Sequence, residues 1–166
     1  MLAVRVCKIS LVGAVALFFT IVAYGNVTDY DSNWQFVQHV MAMDTIFPGS
    51  ALHGRAITHP AVQRAAYTLI IATQAAVAVL LWAGVVQLVR AIRTRDFIRA
   101  KPLACLGLTA GMLLYMVGFI TIGGEWFAMW QSQQWNGQQT SFSFTAMIGA
   151  VLILLLLPEE REVDQS

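Results

Sequence analysis

The stretch Ala65-Ala66-Tyr67-Thr68-Leu69-Ile70-Ile71-Ala72-Thr73-Gln74-Ala75-Ala76-Val77-Ala78-Val79-Leu80-Leu81-Trp82-Ala83-Gly84-Val85-Val86-Gln87-Leu88-Val89 carries no formal charge. A helix rising about 1.5 Å per residue crosses a hydrocarbon core about 30 Å thick in roughly 20 residues, and this run is long enough. Three more runs qualify. Residues 9–24 extend back toward Leu2 if Arg5 and Lys8 snorkel to the headgroups. Residues 102–122 open with Pro102, which suits a first helical turn. Residues 141–157 stop at Pro158 and begin a turn earlier, among Gln138–Thr140. None alternates as a barrel strand does, and hydrocarbon admits only helices or closed barrels. The expected fold is an all-α, four-transmembrane-helix bundle in a single domain. Its helices cover about 5–25, 65–89, 102–123 and 139–157, with joining segments 26–64 and 124–138.

Composition agrees. Of 166 residues, 58% are hydrophobic and 11% charged, with a mean hydropathy of +0.66. A soluble domain of this length cannot hide so much apolar surface. The net charge of +1 excludes nucleic-acid attraction by the whole protein. Arg5, Lys8, Arg90, Arg93, Arg95, Arg99, Lys101 and Arg161 fall on one side of the membrane, against Arg55 and Arg64 on the other. The positive-inside rule then puts both termini and the basic link in the cytoplasm, and segments 26–64 and 124–138 in the periplasm. The basic link is read as a topology determinant touching anionic lipid. The first helix is read as a retained signal anchor; Ala23-Tyr24-Gly25 resembles a small-x-small cleavage site and supplies the rival reading. The acidic tail 159–164 is a solvated end.

The chemistry-bearing residues gather in the two exported segments. Asp31 or Ser32 caps an expected amphipathic helix over 33–47, with Trp34, Phe36, Val37, Val40, Met41, Met43 and Phe47 on one side, bedded in the membrane interface. Trp34, Trp126, Trp130 and Trp135 account for four of the five tryptophans. Trp126 and Trp130 would share a helical face. As an aromatic belt they anchor at headgroup depth; with Glu125 and the neighbouring amides they form a contact cap for a sugar, a headgroup or a partner loop. Glu125 adjoins a span, which marks it for function. Its structural alternative is a hydrogen bond to an indole or a pairing with Arg55 or Arg64. A segment of some 40 residues without disulfide or metal does not fold alone. It lies on the membrane, on its sister segment or on another protein.

No histidine lies inside a span, so an intramembrane b-haem lacks ligands. His39, His53 and His59 stand 14 and 6 residues apart, without the rhythm of a helical metal site. No charged residue lines the helices for a proton relay or ion path. No Walker loop, His-Glu-x-x-His or Ser–His–Asp order is present. No metal and no cofactor are therefore expected. Gly107 and Gly111, with Gly118 two turns on, give the third helix a small-residue face for helix packing, within the chain or against another subunit. Each half turns at a glycine (Gly25, Gly123) and carries a Trp/Gln-rich segment, the pattern of an old duplication, although similarity between the halves is thin.

Asn26, Asp29-Tyr30, Ser32-Asn33, Phe36-Val37, His39-Val40-Met41 and Met43-Asp44-Thr45, with Gly124-Glu125-Trp126-Phe127, Met129-Trp130-Gln131-Ser132 and Trp135-Asn136-Gly137, resemble a bacterial family of predicted small integral membrane proteins of unknown function. The resemblance covers essentially the whole chain. It implies a four-helix protein of the bacterial inner membrane and no particular activity. A looser likeness to claudin-type proteins fails for want of paired loop cysteines.

Three functions follow as expectations. The first is a non-catalytic accessory or assembly subunit of a larger energy-converting or transport complex, touching other integral membrane proteins through Trp34, Glu125, Trp126, Trp130 and Trp135. The second is a binder of a lipid, quinone or carotenoid between the second and third spans. The third is a small membrane enzyme using Glu125 with His39 or His59.

Overall fold

The computed structural model describes residues 2–158; the acidic tail and Arg161 lie outside them. The helices are α1 (Leu2–Thr28), α2 (Tyr30–Ala42), α3 (Pro60–Ala91), α4 (Pro102–Leu113) and α5 (Gln138–Leu156). A π-helix, Leu114–Trp126, continues α4 without a break. Among the described residues four segments are long and apolar enough to cross a membrane: α1, α3, the run Arg95–Trp126 and α5. Their outward faces carry Ile21, Leu69, Val79 and Ile153, each at least 60% exposed. With Leu106 of the third span 58% exposed as well, apolar exposure spread over all four spans suits a lipid solvent and not water.

The spans outrun the apolar windows because helices continue into polar turns that hydropathy does not register. α1 does not turn at Gly25 but runs to Thr28, and buried Asn26 donates to Gln74 Oε1 of α3 at 2.6 Å. Two amides that pair inside the bundle cost far less than two left unpaired. α3 starts at Pro60, not Ala65, with proline in its first turn. Its Gln63 is buried and donates to Ile57 O at 2.7 Å. Gly123 is likewise no turning point, since it lies within the π-helix.

The shaft of the bundle is one apolar core. Val12, Val15, Ala16 and Phe19 of α1 meet Val77 and Leu81 of α3, Ala104 and Leu108 of α4, and Ile148 and Leu155 of α5. Phe18, Phe19, Tyr115, Phe119 and Phe144 form a continuous chain of rings with centroids 4.9–6.0 Å apart. Small residues permit the closest approaches. A Cβ on Gly107 would lie 2.8 Å from Leu81, and one on Gly111 2.7 Å from Phe19. These two glycines therefore pack within the chain.

The two ends differ. At the link end, the turn Arg95–Ala100 joins α3 to α4. Arg5 donates to Ile92 O and Thr94 O at 3.0 and 2.7 Å, lying over the buried Phe97 ring. Lys8 donates to Leu157 O at 2.7 Å. These contacts neutralise carbonyls left open where helices end. The opposite, loop end has a second core made by α2, the start of α3 and residues 127–129.

Candidate functional site

At the loop end α2 begins at Tyr30 and stops at Ala42, earlier at both ends than the expected 33–47. Asp29 occupies the cap position, and its side chain bonds Ser32 Oγ and not the helix backbone. Met43 ends α2 in the left-handed region, φ 54°. That conformation costs a non-glycine residue roughly 1–2 kcal/mol, and it is held because the Met43 side chain is almost wholly buried in the second core. Val37, Val40 and Met41 of α2 are buried there too, while Phe47, beyond the helix end, is exposed.

The two joining segments fold on each other. Thr45 Oγ1 donates to Ser132 Oγ at 2.8 Å, and Phe47 N–H donates to Gln131 Oε1 at 3.2 Å. His39 stacks on Trp135 at 4.8 Å and pairs with Asp44 at 2.7 Å. Phe36 meets Trp135 edge-on. Trp34 stacks on Tyr30, and the Arg64 guanidinium lies 5.8 Å from the centre of the Trp34 ring. Of the expected cap, Trp34 and Trp135 are thus engaged within the chain. Trp126 and Trp130 are about half exposed, Trp130 with Phe47 against its ring at 6.0 Å.

Between α2, the start of α3 and the π-helix lies a cavity of about 710 Å³, within the ~300–1,000 Å³ range of small-molecule sites. α2 supplies Phe36, Val37, Val40 and Met41; α3 supplies Ala66 and Ile70; the π-helix supplies Gly118, Phe119, Ile122 and Gly123. Phe127 and Met129 complete the apolar lining. The lining is apolar except for Thr121, Arg55 and Glu125.

The π-helix explains the hollow. i→i+5 bonding is mostly seen as single-turn bulges, often at functional sites; here it covers Leu114–Trp126. The five-residue spacing sets Gly123 one turn from Gly118, so that a Cβ on Gly123 would lie 3.5 Å from Gly118 O. Two glycines in one file leave that strip of the wall without side chains. Gly118 consequently leaves the face of Gly107 and Gly111: its missing Cβ would meet only Leu114 of its own helix, at 3.7 Å. Thr121 closes its hydroxyl on Met116 O, five residues back, at 2.9 Å, and so presents its methyl without an unsatisfied donor.

Arg55 donates to Trp126 O at 3.3 Å and Glu125 O at 3.5 Å, with its guanidinium 4.9 Å from the Trp126 ring centre. It binds the backbone of the Glu125 segment and forms no salt bridge with the carboxylate. Glu125 Oε1 accepts instead from Gln138 Nε2 at 3.2 Å. Gly124 makes room for this, since a Cβ there would lie 2.8 Å from Gln138 Nε2. His39 and His53 are directed elsewhere, His53 to Phe47 O at 3.3 Å, and no histidine lines the cavity with Glu125. Among the described residues no three metal-ligating side chains converge.

Four apolar spans around an internal core define an integral, multi-pass membrane protein. The chain belongs to the family described as predicted small integral membrane protein, whose model matches residues 4–158. That description assigns no activity. No curated protein matches the chain. Nor does any solved structure.

Proposed function

We propose that this protein is a non-catalytic lipid binder of the bacterial inner membrane that holds an acyl chain in the cavity between α2, α3 and the π-helix. The supporting observation is the cavity's chemistry: an apolar wall with its charges confined to Arg55 and Glu125, beside the exposed side chains of Ile122 and Trp126. An amphiphile has that distribution of polarity. The third span carries Gly107, Gly111 and Gly118, glycines that could open such a gap. Of these only Gly118 borders the cavity, because Leu81 and Phe19 fill the space at the other two. With the basic link in the cytoplasm, the cavity opens in the periplasmic leaflet and α2 lies at that interface. Organic extraction of the full-length protein, washed free of bulk lipid, should release about one lipid per chain by mass spectrometry. An empty extract from folded protein overturns this reading.

A second reading rests on the half-exposed pair Trp130 and Phe47, with Trp126 also exposed. In it the chain is an accessory or assembly subunit that touches other integral membrane proteins of a larger complex through this aromatic ledge. Buried tryptophan anchors typically contribute about 2 kcal/mol or more to binding. A doubly substituted Trp126→Ala, Trp130→Ala protein should therefore lose its partners when purified from native membranes in mild detergent. Unchanged co-purification of the same partners removes the ledge from the interface.

A further inference from the structure

The cavity's two charged residues do not neutralise each other. Arg55 spends its contacts on the carbonyls of Glu125 and Trp126 and on the Trp126 ring. A guanidinium has five N–H donors in a fixed fork, so these two carbonyl bonds leave donors unused. Glu125 accepts one amide hydrogen bond through Oε1, and a carboxylate has about four acceptor sites. Neither forms a salt bridge among the described residues, although Arg55 approaches the Glu125 backbone to 3.5 Å. A fixed cation and a fixed anion thus stand side by side at one apolar cavity.

Resting on the lipid-binding reading above, we propose that the cavity selects a phospholipid whose headgroup carries both a phosphate and a primary ammonium. The phosphate takes the free donors of Arg55, whose planar fork suits a phosphate. The ammonium donates to the open oxygens of Glu125, and the acyl chain occupies the cavity. A purely anionic headgroup satisfies Arg55 but sets its charge against Glu125. A headgroup without phosphate leaves Arg55 uncompensated. A quaternary ammonium has no N–H to donate, so it loses the hydrogen bond to the carboxylate. Gln138 holds Glu125 in place, and its own position depends on the missing side chain at Gly124.

The test uses delipidated full-length protein in detergent, titrated with dioleoyl phosphatidylethanolamine, dioleoyl phosphatidylglycerol, dioleoyl phosphatidylcholine or dioleoylglycerol and read by native mass spectrometry. The expected result is at least tenfold tighter retention of phosphatidylethanolamine than of the other three. Glu125→Gln, which keeps shape and removes charge, should erase the preference over phosphatidylglycerol while both still bind. Arg55→Gln should lower both to the level of dioleoylglycerol. Equal retention of all four lipids by the unsubstituted protein overturns the selectivity and leaves acyl-chain binding standing, as does a Glu125→Gln protein that keeps the preference. Retention of none overturns both readings.

Discussion

Gly84→Val should leave little folded protein, and even Gly84→Ala should lower stability by about 1–3 kcal/mol, the usual range for an overpacked interior. At Gly84 a Cβ would lie 2.6 Å from the backbone nitrogen of Ala104 and 2.8 Å from its Cα. At Gly107 the nearest obstacles are side-chain carbons, Cδ2 and Cγ of Leu81 at 2.8 Å, with the Leu81 backbone nitrogen farther off at 3.2 Å. At Gly84 the obstacle is backbone, so α3 and α4 must separate. Packing is the chief attraction between helices in lipid, because the tails are as apolar as leucine. Separating the pair therefore forfeits contacts that no hydrophobic effect restores. Thermal unfolding of the purified chain in detergent, followed by tryptophan fluorescence, measures the loss. Gly13→Ala is the control, since no atom beyond its own helical backbone and chain neighbours lies within 4 Å of the added carbon; it should melt at or slightly above the parent temperature. A Gly84→Val protein that melts with the parent would show the α3–α4 contact to be misplaced.

The four spans were legible because an apolar run is a direct record of solvent, and lipid leaves few alternatives. Their ends were not. Asn26 and Gln63 read as polar residues outside the spans, yet each is buried with an amide or carbonyl partner, Asn26 with Gln74 of the second span. A pairing between residues 48 positions apart, as between Asn26 and Gln74, leaves no local signature. Gly84 likewise leaves no signature along the chain. Its partner is Ala104 on the next helix, whereas the Gly107–Gly111 spacing repeats within one helix and can be seen along the chain. At the loop end the tryptophans were found but not their engagements: Trp135 is occupied by His39 and Phe36, and Arg55 by carbonyls in place of a carboxylate. Of the three beds open to a segment that does not fold alone, the sister segment is the one each joining segment meets. The π-helix was invisible because hydropathy along 114–126 is the same whichever carbonyl each N–H selects. Its one trace is the five-residue spacing of Gly118 and Gly123, which a four-residue rule passes over.

That spacing supplies the second large effect. Gly118→Phe should abolish lipid retention while leaving the fold intact. The added side chain starts from a position whose nearest foreign atom is Leu114 Cδ1 at 3.7 Å, and the adjoining space is the cavity itself. A phenyl ring placed there replaces the acyl chain as the apolar filling, so stability without lipid should hold or rise. A ligand present at 100 times its Kd stabilises the folded state by about 2.7 kcal/mol. The parent protein should therefore melt higher when the retained lipid of the preceding titrations is added, and the plugged protein should not respond. Gly107→Phe separates plugging from disruption, because its side chain would enter a site already filled by Leu81 and should destabilise the bundle with or without lipid. If Gly118→Phe melts normally and still shows the full lipid-induced shift, the lipid sits elsewhere on the protein. The hollow beside the two glycines would then be a by-product of the π-helix and not the reason for it.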